Sequence, residues 1–354
     1  MTVQIRKAIL AMAAYKPPIA GRTGLRLDFN ENTSGCSPSV LRALAGMDGE
    51  TLARYPDVAA AEAAIAAAYG HTSASALLTN GVDDALLLLA LTVLEAGTEA
   101  IVSEPCFAMY RFYAAQLGAR TVAVPFRRSP RQFVTDCAAL DRAVTPRTRV
   151  IFLASPNNPT GHLTPAADLL ALAQRWPDIL ICVDEAYAEF VADDATGMLP
   201  YVLRQPNLVV TRTFSKAYGL AGARLGCLFA HPELLPVLRK AHSPYNVSTL
   251  AAACGAAAVA DSAWVRAYRR EVIASRGLVE SALDELAIPY WRSAANFVLC
   301  DAGTRALELT SGLRARGVLV RDRGGDIRGA VRITCGRVSH TEAACVAIKE
   351  VWRG

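Results

Sequence analysis

Short apolar runs recur along the first two thirds of the chain, and segments with helical spacing lie between them. The runs cover 101–102, 150–154, 179–183, 208–211 and 226–230. Uninterrupted apolar runs are typical of strands that are buried on both faces of a sheet. Between the runs, apolar residues recur at three-to-four spacing, as at Val58, Ala61, Ile65 and Tyr69. Strands that alternate with helices predict an α/β fold whose mostly parallel sheet is sandwiched by helices.

The pattern changes in the last third of the chain. Residues 262–286 carry apolar side chains on one face of a long helix. Shorter strand patterns follow, at 296–300, 317–321 and 331–334. This arrangement predicts a second, smaller α+β domain. We therefore predict three parts, namely an N-terminal segment at 1–45 that joins the small domain, a large cofactor-binding domain at 46–264 and a small C-terminal domain at 265–354.

Composition limits the possible classes of protein. Of the 354 residues, 53% are hydrophobic and 19% are charged, and the net charge is only +5. This charge indicates neither a nucleic-acid surface nor a polybasic membrane anchor. The longest apolar run, 85–94, is half of the roughly 20 residues that a membrane-spanning helix needs. Nine cysteines without C-x-x-C spacing predict neither a disulfide framework nor a metal site, so we expect a cytoplasmic protein.

Polar residues follow three of the predicted strands directly. SPNNPTG follows the run at 150–154, DEAY follows the run at 179–183, and TFSK follows the run at 208–211. Ligands of open parallel sheets bind beyond the carboxyl ends of the strands. We therefore expect these segments to bring four side chains to one crevice, those of Asn158, Asp184, Tyr187 and Lys216.

An amine, a carboxylate, a phenol and an amide in one crevice suit pyridoxal 5'-phosphate catalysis, in which the cofactor is the electron sink. Lys216 would form the Schiff base and later move a proton between the substrate and the cofactor. Asp184 would face the pyridine nitrogen and keep it protonated. Asn158 and Tyr187 would donate hydrogen bonds to the phenolate oxygen.

The phosphate of this cofactor requires its own hydrogen-bond donors. Two groups can supply them, the first residues of a predicted helix, Gly81, Val82 and Asp83, and three residues near the lysine, Thr213, Ser215 and Arg224. Backbone amides at a helix start attract anions, and a guanidinium group binds phosphate through paired donors. Phe107 follows the strand at 101–102 and is placed to stack on the cofactor ring.

Several motifs resemble those of the class I/II aminotransferases of fold type I. SPNNPTG, VDEAY, TFSKAYGLAGARLG and RITCG occur in this order and spacing over nearly the whole chain. Within that family, the segments LDFNEN, ARYPD, HSPYNVS and VLVRD resemble the histidinol-phosphate aminotransferases. The resemblance implies a pyridoxal phosphate-dependent enzyme that exchanges amino groups between histidinol phosphate and 2-oxoglutarate.

The resemblance also implies roles for residues outside the crevice motifs. It implies a homodimer in which Tyr55 of one subunit reaches the cofactor phosphate of the other. Arg332 would hold the α-carboxylate of the substrate. Tyr15, Asn30 and Arg321 would line the substrate pocket, with Arg321 on the phosphate of histidinol phosphate.

Two residues depart from the family pattern. Thr33 stands where the family usually has proline, and Phe107 stands where it usually has tyrosine. Between Arg321 and Arg337, five arginines accompany two aspartates, an excess that favours an acidic substrate. Within this segment we expect Arg323 and Arg328 to lie on a solvated turn.

The residues at the substrate edge leave other functions open. An aromatic aminotransferase, an aminotransferase of specialised metabolism and a threonine-phosphate decarboxylase would use the same cofactor. A nicotinamide-dependent oxidoreductase is disfavoured because no G-x-G-x-x-G follows a predicted strand. A regulator built on an inactive enzyme domain is disfavoured because Lys216 is present and no DNA-binding segment is appended.

Overall fold

The computed structural model describes residues 3–14, 21–191 and 197–354. The helices are α1 (Lys7–Leu10), α2 (Pro38–Ala45), α3 (Gly49–Ala53), α4 (Ala59–Ala68), α5 (Gly81–Val93), α6 (Met109–Leu117), α7 (Cys137–Ala143), α8 (Ala166–Arg175), α9 (Leu235–Ala241), α10 (Thr249–Ala260), α11 (Ser262–Glu285), α12 (Ala306–Ala315) and α13 (Val338–Arg353). The strands are β1 (Leu25–Arg26), β2 (Ala76–Thr79), β3 (Glu99–Glu104), β4 (Arg120–Pro125), β5 (Arg127–Arg128), β6 (Phe133–Val134), β7 (Thr148–Ala154), β8 (Leu180–Asp184), β9 (Leu208–Thr213), β10 (Gly226–Ala230), β11 (Tyr290–Trp291), β12 (Phe297–Asp301), β13 (Val318–Leu319), β14 (Arg321–Asp322) and β15 (Ala330–Thr334). Within these ranges, no helix is both long and apolar enough to cross a membrane.

A seven-stranded sheet in the order β2-β10-β9-β8-β7-β3-β4 forms the centre of the molecule. The strands from β9 to β4 pair in parallel, whereas β10 runs antiparallel to both of its neighbours. The predicted mostly parallel sheet is therefore confirmed. The edge strands β2 and β4 are elements that the pattern of apolar runs does not predict.

Side chains of the central strands alternate between two apolar layers. In β7, Ile151 and Leu153 belong to the layer that contains Ile65 of α4 and Leu172 of α8. Phe152 of the same strand belongs to the opposite layer, with residues of α5, α6 and α9. Because both faces are covered, these strands carry uninterrupted apolar runs.

A second apolar core lies around α11, α12, α13 and the sheet β11-β12-β15-β14. The chain near its start belongs to this core, because β1 pairs in parallel with β13 and the amide of Thr334 donates to the carbonyl of Leu27 over 3.0 Å. Helix α2 packs instead against α10 of the large sheet's layer. The boundaries at residues 45 and 264 stay a prediction.

Candidate active site

A cavity of about 300 Å³ opens beyond the carboxyl ends of β7, β8 and β9 and is bounded on its far side by β14 and β15. It is lined by these residues of the sequence prediction: Asn30, Val82, Asp83, Phe107, Asn158, Asp184, Tyr187, Thr213, Ser215, Lys216, Arg224, Arg321 and Arg332. Gly81 is not among the lining residues but lies next to the guanidinium group of Arg224. Tyr55 does not line the cavity, and Tyr15 lies outside the described residues.

Lys216 follows β9 and directs its amine at the N-terminal segment. The Nζ atom donates to the carbonyl oxygen of Phe29 over 2.8 Å. Desolvation lowers the pKa of the Lys216 amine to about 8, and the nearby charge of Arg332 acts in the same direction. Near neutral pH, a much larger fraction of this amine is neutral and nucleophilic than in an exposed lysine.

Asp184 ends β8 and is almost completely buried. Its Oδ1 accepts hydrogen bonds from the amide of Ala186 over 3.1 Å and from the hydroxyl of Thr211 over 3.2 Å. Its Oδ2 accepts from the hydroxyl of Tyr110 over 2.8 Å. Burial raises the pKa of the Asp184 carboxyl to about 6, and the three donors limit that rise because they stabilise the anion.

Asn30 holds the phenol of Tyr187 in place. Its backbone lies in the left-handed region at φ 56°, and its amide donates to the hydroxyl oxygen of Thr334 over 3.1 Å. The side-chain amide of Asn296 donates to its carbonyl. From this fixed position, Asn30 Nδ2 donates to the Tyr187 oxygen over 2.9 Å. Because that oxygen already accepts a hydrogen bond, the phenol proton is free to donate into the cavity.

Arg332 orients the amide of Asn158. Its Nη1 donates to Asn158 Oδ1 over 2.5 Å, and its Nη2 donates to the carbonyl of Asp28 over 2.7 Å. Asn158 therefore keeps its Nδ2 as a donor toward the cavity. Burial lowers the pKa of Arg332 to about 10, and its buried Nε has no hydrogen-bond partner among the described residues.

A candidate anion site lies at the start of α5. Gly81 adopts φ 75°, a left-handed backbone that favours glycine, and a Cβ there would lie 2.5 Å from Arg224 Nη2 and displace the guanidinium group. Arg224 donates to Ser215 Oγ over 3.3 Å and to Asp83 Oδ2 over 3.1 Å. Thr213 Oγ1 accepts from the amide of Ser215, which leaves its own proton to donate. The first amides of α5 have no partner within the helix and complete the set of donors.

The far edge of the cavity carries two arginines, Arg321 of β14 and Arg323 of the turn that follows it. Arg321 lies with its guanidinium carbon 5.4 Å from the centre of the Phe29 ring. Arg323 also lines the cavity and forms an ion pair with Asp326 over 2.7 Å. The expectation of a solvated position is wrong for Arg323, because the turn folds back and its amide donates to the carbonyl of Ala330. Arg328 is exposed, as expected.

Besides four alanines, four residues that line the cavity are not among the predicted site residues, namely Phe29, Glu31, Tyr110 and Arg323. Phe29 and Glu31 flank Asn30 in LDFNEN, so their signal is adjacency to a predicted site residue. Tyr110 lies three residues after Phe107, a spacing that brings the two rings into contact at the start of α6. That spacing is the signal that could have identified Tyr110.

Thr33 uses the groups that a proline lacks. Its amide donates to the hydroxyl of Tyr268 over 3.3 Å. Its Oγ1 accepts from the amide of Arg337 over 2.8 Å. These two hydrogen bonds tie the loop after Asn30 to the small core, so this departure from the family pattern retains an anchored loop.

The arrangement fits pyridoxal phosphate group by group. The α5 amides and Arg224 suit its phosphate, and the remaining acceptor capacity of Asp184 suits the ring N–H. Tyr187 can donate to its phenolate oxygen, and Lys216 offers an amine for its aldehyde. Phe107, on the cavity wall, offers an apolar surface for the ring.

Comparison with known proteins agrees with this geometry. A family model described as aminotransferase class I and II matches residues 22–348. The histidinol-phosphate aminotransferase of Moorella thermoacetica is 34% identical over 363 residues, which cover 98% of this chain and 92% of that protein. The histidinol-phosphate aminotransferase of a Ruegeria species is 36% identical over 357 residues, with coverage of 98% and 97%.

A solved structure has the same fold over the full chain. The crystal structure of histidinol-phosphate aminotransferase from Sinorhizobium meliloti in complex with pyridoxal-5'-phosphate superposes with a TM-score of 0.90 at 28% sequence identity. The match covers 100% of this chain and 98% of that one. The predicted fold type and the predicted cofactor are therefore confirmed.

Proposed function

The chain belongs to the class I and II aminotransferases, which makes it a pyridoxal phosphate-dependent enzyme, and we propose that it transfers the amino group of histidinol phosphate to 2-oxoglutarate. The observation that carries the choice of substrate is the group of arginines at the far edge of the cavity. Arg321 on β14 and Arg332 on β15 lie directly opposite each other. Like charges in such a pair destabilise a sheet, so a bound anion relieves their repulsion.

The bound cofactor supplies an electron sink for the negative charge that develops when a proton leaves the substrate α-carbon. Lys216 attaches the cofactor through its amine and carries the proton to and from that carbon, a task suited to a group with a pKa of about 8. Asp184 holds the proton on the ring nitrogen through its carboxylate. Tyr187 and Asn158 orient the ring because both donate from fixed positions.

Two anionic substrates can share the arginines. Glutamate presents an α-carboxylate and a side-chain carboxylate, and histidinol phosphate presents a phosphate instead. Arg332 would bind the α-carboxylate of glutamate, and Arg321 would bind the phosphate of histidinol phosphate, because guanidinium groups bind both anions through paired donors. Asn30 and Phe29 would form the wall between these two ends.

The donor is tested by mixing the purified holoenzyme with single amino donors in excess. The visible absorption of the bound cofactor and the amount of 2-oxo product are followed for histidinol phosphate, glutamate, phenylalanine and threonine phosphate. We expect histidinol phosphate and glutamate to react fastest. A marked preference for phenylalanine would indicate an aromatic aminotransferase, and release of carbon dioxide would indicate a decarboxylase.

Replacing Arg321 with alanine should weaken histidinol phosphate selectively. Loss of one charged hydrogen-bonding partner costs about 2 to 5 kcal/mol, or roughly thirty- to several-thousandfold in affinity. Affinity for phenylalanine, which has no distal anion, should change far less. Arg328→Ala is the matched control because Arg328 is exposed on the turn that follows β14. Equal loss for both donors in Arg321→Ala would remove the phosphate role of Arg321.

A homodimer is part of the proposal. Tyr55 is 81% exposed and lies 4.8 Å, centre to centre, from the exposed ring of Tyr245. Leu52 and Leu41 nearby along the chain are also more than half exposed. Such large exposed apolar side chains favour burial against a second copy, and Tyr55 would then donate to the cofactor phosphate of the partner.

A mixed dimer tests this crossing. The Tyr55→Phe protein should bind the cofactor roughly ten- to a hundredfold more weakly, because a hydrogen bond to a charged group is lost. A dimer of one Tyr55→Phe subunit and one Lys216→Ala subunit should regain one site of wild-type affinity and activity. Two defective sites in that dimer would show that Tyr55 serves its own subunit.

The proposal also places the reaction in the cytoplasm. All nine cysteines are free thiols, and six of them are buried. Unpaired cysteines in this number fit a reducing compartment. Fractionation of cells that produce the full chain would test this location directly.

A further inference from the structure

The hydrogen bonds of Asp184 leave one position open. A carboxylate has about four acceptor positions, two on each oxygen. Ala186 and Thr211 occupy both positions on Oδ1. Tyr110 occupies one position on Oδ2, at 2.8 Å. The remaining Oδ2 position is the one left to face the cavity, which Asp184 lines.

Tyr110 is the closer of the two side-chain donors to Asp184. It lies on α6, is 1% exposed, and its ring stacks on that of Phe152 with an interplanar angle of 2° and 5.3 Å between centres. Phe107 packs against it edge to face at 5.8 Å. A phenol is also a stronger donor than the aliphatic hydroxyl of Thr211, which lies farther from the carboxylate at 3.2 Å.

We propose that Tyr110 is a positioning residue that fixes the orientation of the Asp184 carboxylate and keeps it ionised, so that one Oδ2 lone pair is offered to the cofactor ring. The inference rests on the cofactor role of Asp184 in the proposed function. Tyr110 acts through Asp184, from helix α6, which packs in the same apolar layer as Phe152. Nothing in the sequence motifs assigns it this role.

Removal of the Tyr110 hydroxyl has a defined electrostatic consequence. Without this donor, the buried anion is less stable, so the pKa of Asp184 rises above its value of about 6. More of the cofactor-free protein then carries a neutral carboxyl near neutral pH. A neutral carboxyl must lose its proton before it can pair with a protonated ring, so cofactor affinity falls.

Other ionisable groups face Asp184, and their titration has to be separated from that of Asp184 in a pH profile. Cys182 lies on the same strand, Tyr187 follows it, Asp83 begins α5, and Tyr110 comes from α6. Burial raises the pKa of the thiol and of both phenols, which therefore stay neutral. Asp83, whose pKa burial also raises, changes charge in acid, and it is present in both the wild type and Tyr110→Phe.

The test compares Tyr110→Phe with Tyr113→Phe. Phenylalanine at 110 keeps the stacked ring and removes only the donor. Tyr113 lies one turn later on α6, is 9% exposed and makes no hydrogen bond to Asp184, so it is the matched control. Two quantities are measured on cofactor-free protein between pH 5 and 8. These are the affinity for pyridoxal phosphate, by fluorescence titration, and the protonated-carboxyl infrared band that disappears in Asp184→Asn.

We expect the infrared band of Tyr110→Phe to persist to higher pH than in the wild type. Its cofactor affinity near pH 7 should fall by about tenfold or more, because a hydrogen bond to a charged group is lost. Tyr113→Phe should match the wild type in both quantities. Thr211→Val should shift the band in the same direction but less, and it serves if Tyr110→Phe does not fold.

An unchanged band and unchanged affinity in Tyr110→Phe would overturn the inference, as would a larger shift in Thr211→Val than in Tyr110→Phe. Reduced affinity without a shifted band would also overturn it, because a purely structural defect gives that result. The infrared band is measured on cofactor-free protein, so it does not depend on the proposed function. Failure of the proposed function would instead appear as a wild-type protein that does not bind pyridoxal phosphate.

Discussion

Replacing Lys216 with alanine should leave a protein that binds pyridoxal phosphate but turns over at least roughly a thousandfold more slowly, because proton transfer by a positioned side chain is lost. Binding should survive because the other contacts stay in place, from the α5 amides, Arg224 and Asp184. Cofactor retention is measured by absorption after desalting, and turnover is measured with histidinol phosphate and with glutamate.

Lys240→Ala is the control for this variant, since Lys240 is an exposed residue of α9. It should behave as the wild type in both measurements. Turnover of Lys216→Ala within tenfold of the wild type would contradict the proton-transfer role. Complete loss of cofactor from that variant would contradict the roles given to Arg224 and Asp184.

Replacing Asp184 with asparagine should lower turnover by roughly a hundred- to a thousandfold or more, as removal of a principal electrostatic contact does. The size of the side chain is kept, and the charge that holds the ring proton is lost. In the wild type, protonation of this carboxyl should lower the cofactor affinity at acid pH. That decrease should be absent in Asp184→Asn. Near-normal turnover in Asp184→Asn would show that the carboxylate does not face the cofactor ring.

Although Asp184→Asn should lower turnover, it should make the cofactor-free protein more stable. Because burial raises the pKa of Asp184 from 3.8 to about 6, the folded state binds more protons than the unfolded state between these values. Stability therefore falls as pH rises through this window. Removal of the charge should raise the free energy of unfolding at neutral pH by up to about 3 kcal/mol. Urea titrations of both cofactor-free proteins measure this difference, and a large destabilisation would point to misfolding.

The central strands were predictable because they are buried on both faces. Their carboxyl ends meet as the motifs require, since Ala154 lies opposite Asp184 and Asp184 lies opposite Thr211 in the register of the sheet. The edge strand β4 was not predictable from apolar runs, because five of its six residues are partly or fully exposed. Strand β2 is only four residues long, which is too short to show a period.

The contacts that the sequence did not predict depend on long-range packing. Tyr110 reaches Asp184 across 74 positions of the chain, and Asn30 reaches Tyr187 across 157. Neither distance leaves a local pattern. Arg323 lies in a glycine-containing turn whose sequence is typical of an exposed loop. The pairing of β14 with β15 brings this turn to the cavity. The motifs therefore predicted most of the side chains that line the cavity, whereas tertiary contacts determine how these side chains are oriented and charged.

Attachment of the cofactor to Lys216 is the central claim, and borohydride reduction of the holoenzyme followed by peptide mapping tests it most directly. Reduction makes the link between an amine and the cofactor aldehyde permanent, so the modified residue is identified by its mass. The account predicts a pyridoxyl group on Lys216 and none on Lys7, Lys16, Lys240 or Lys349. A pyridoxyl group on any of those four, with Lys216 unmodified, would contradict it.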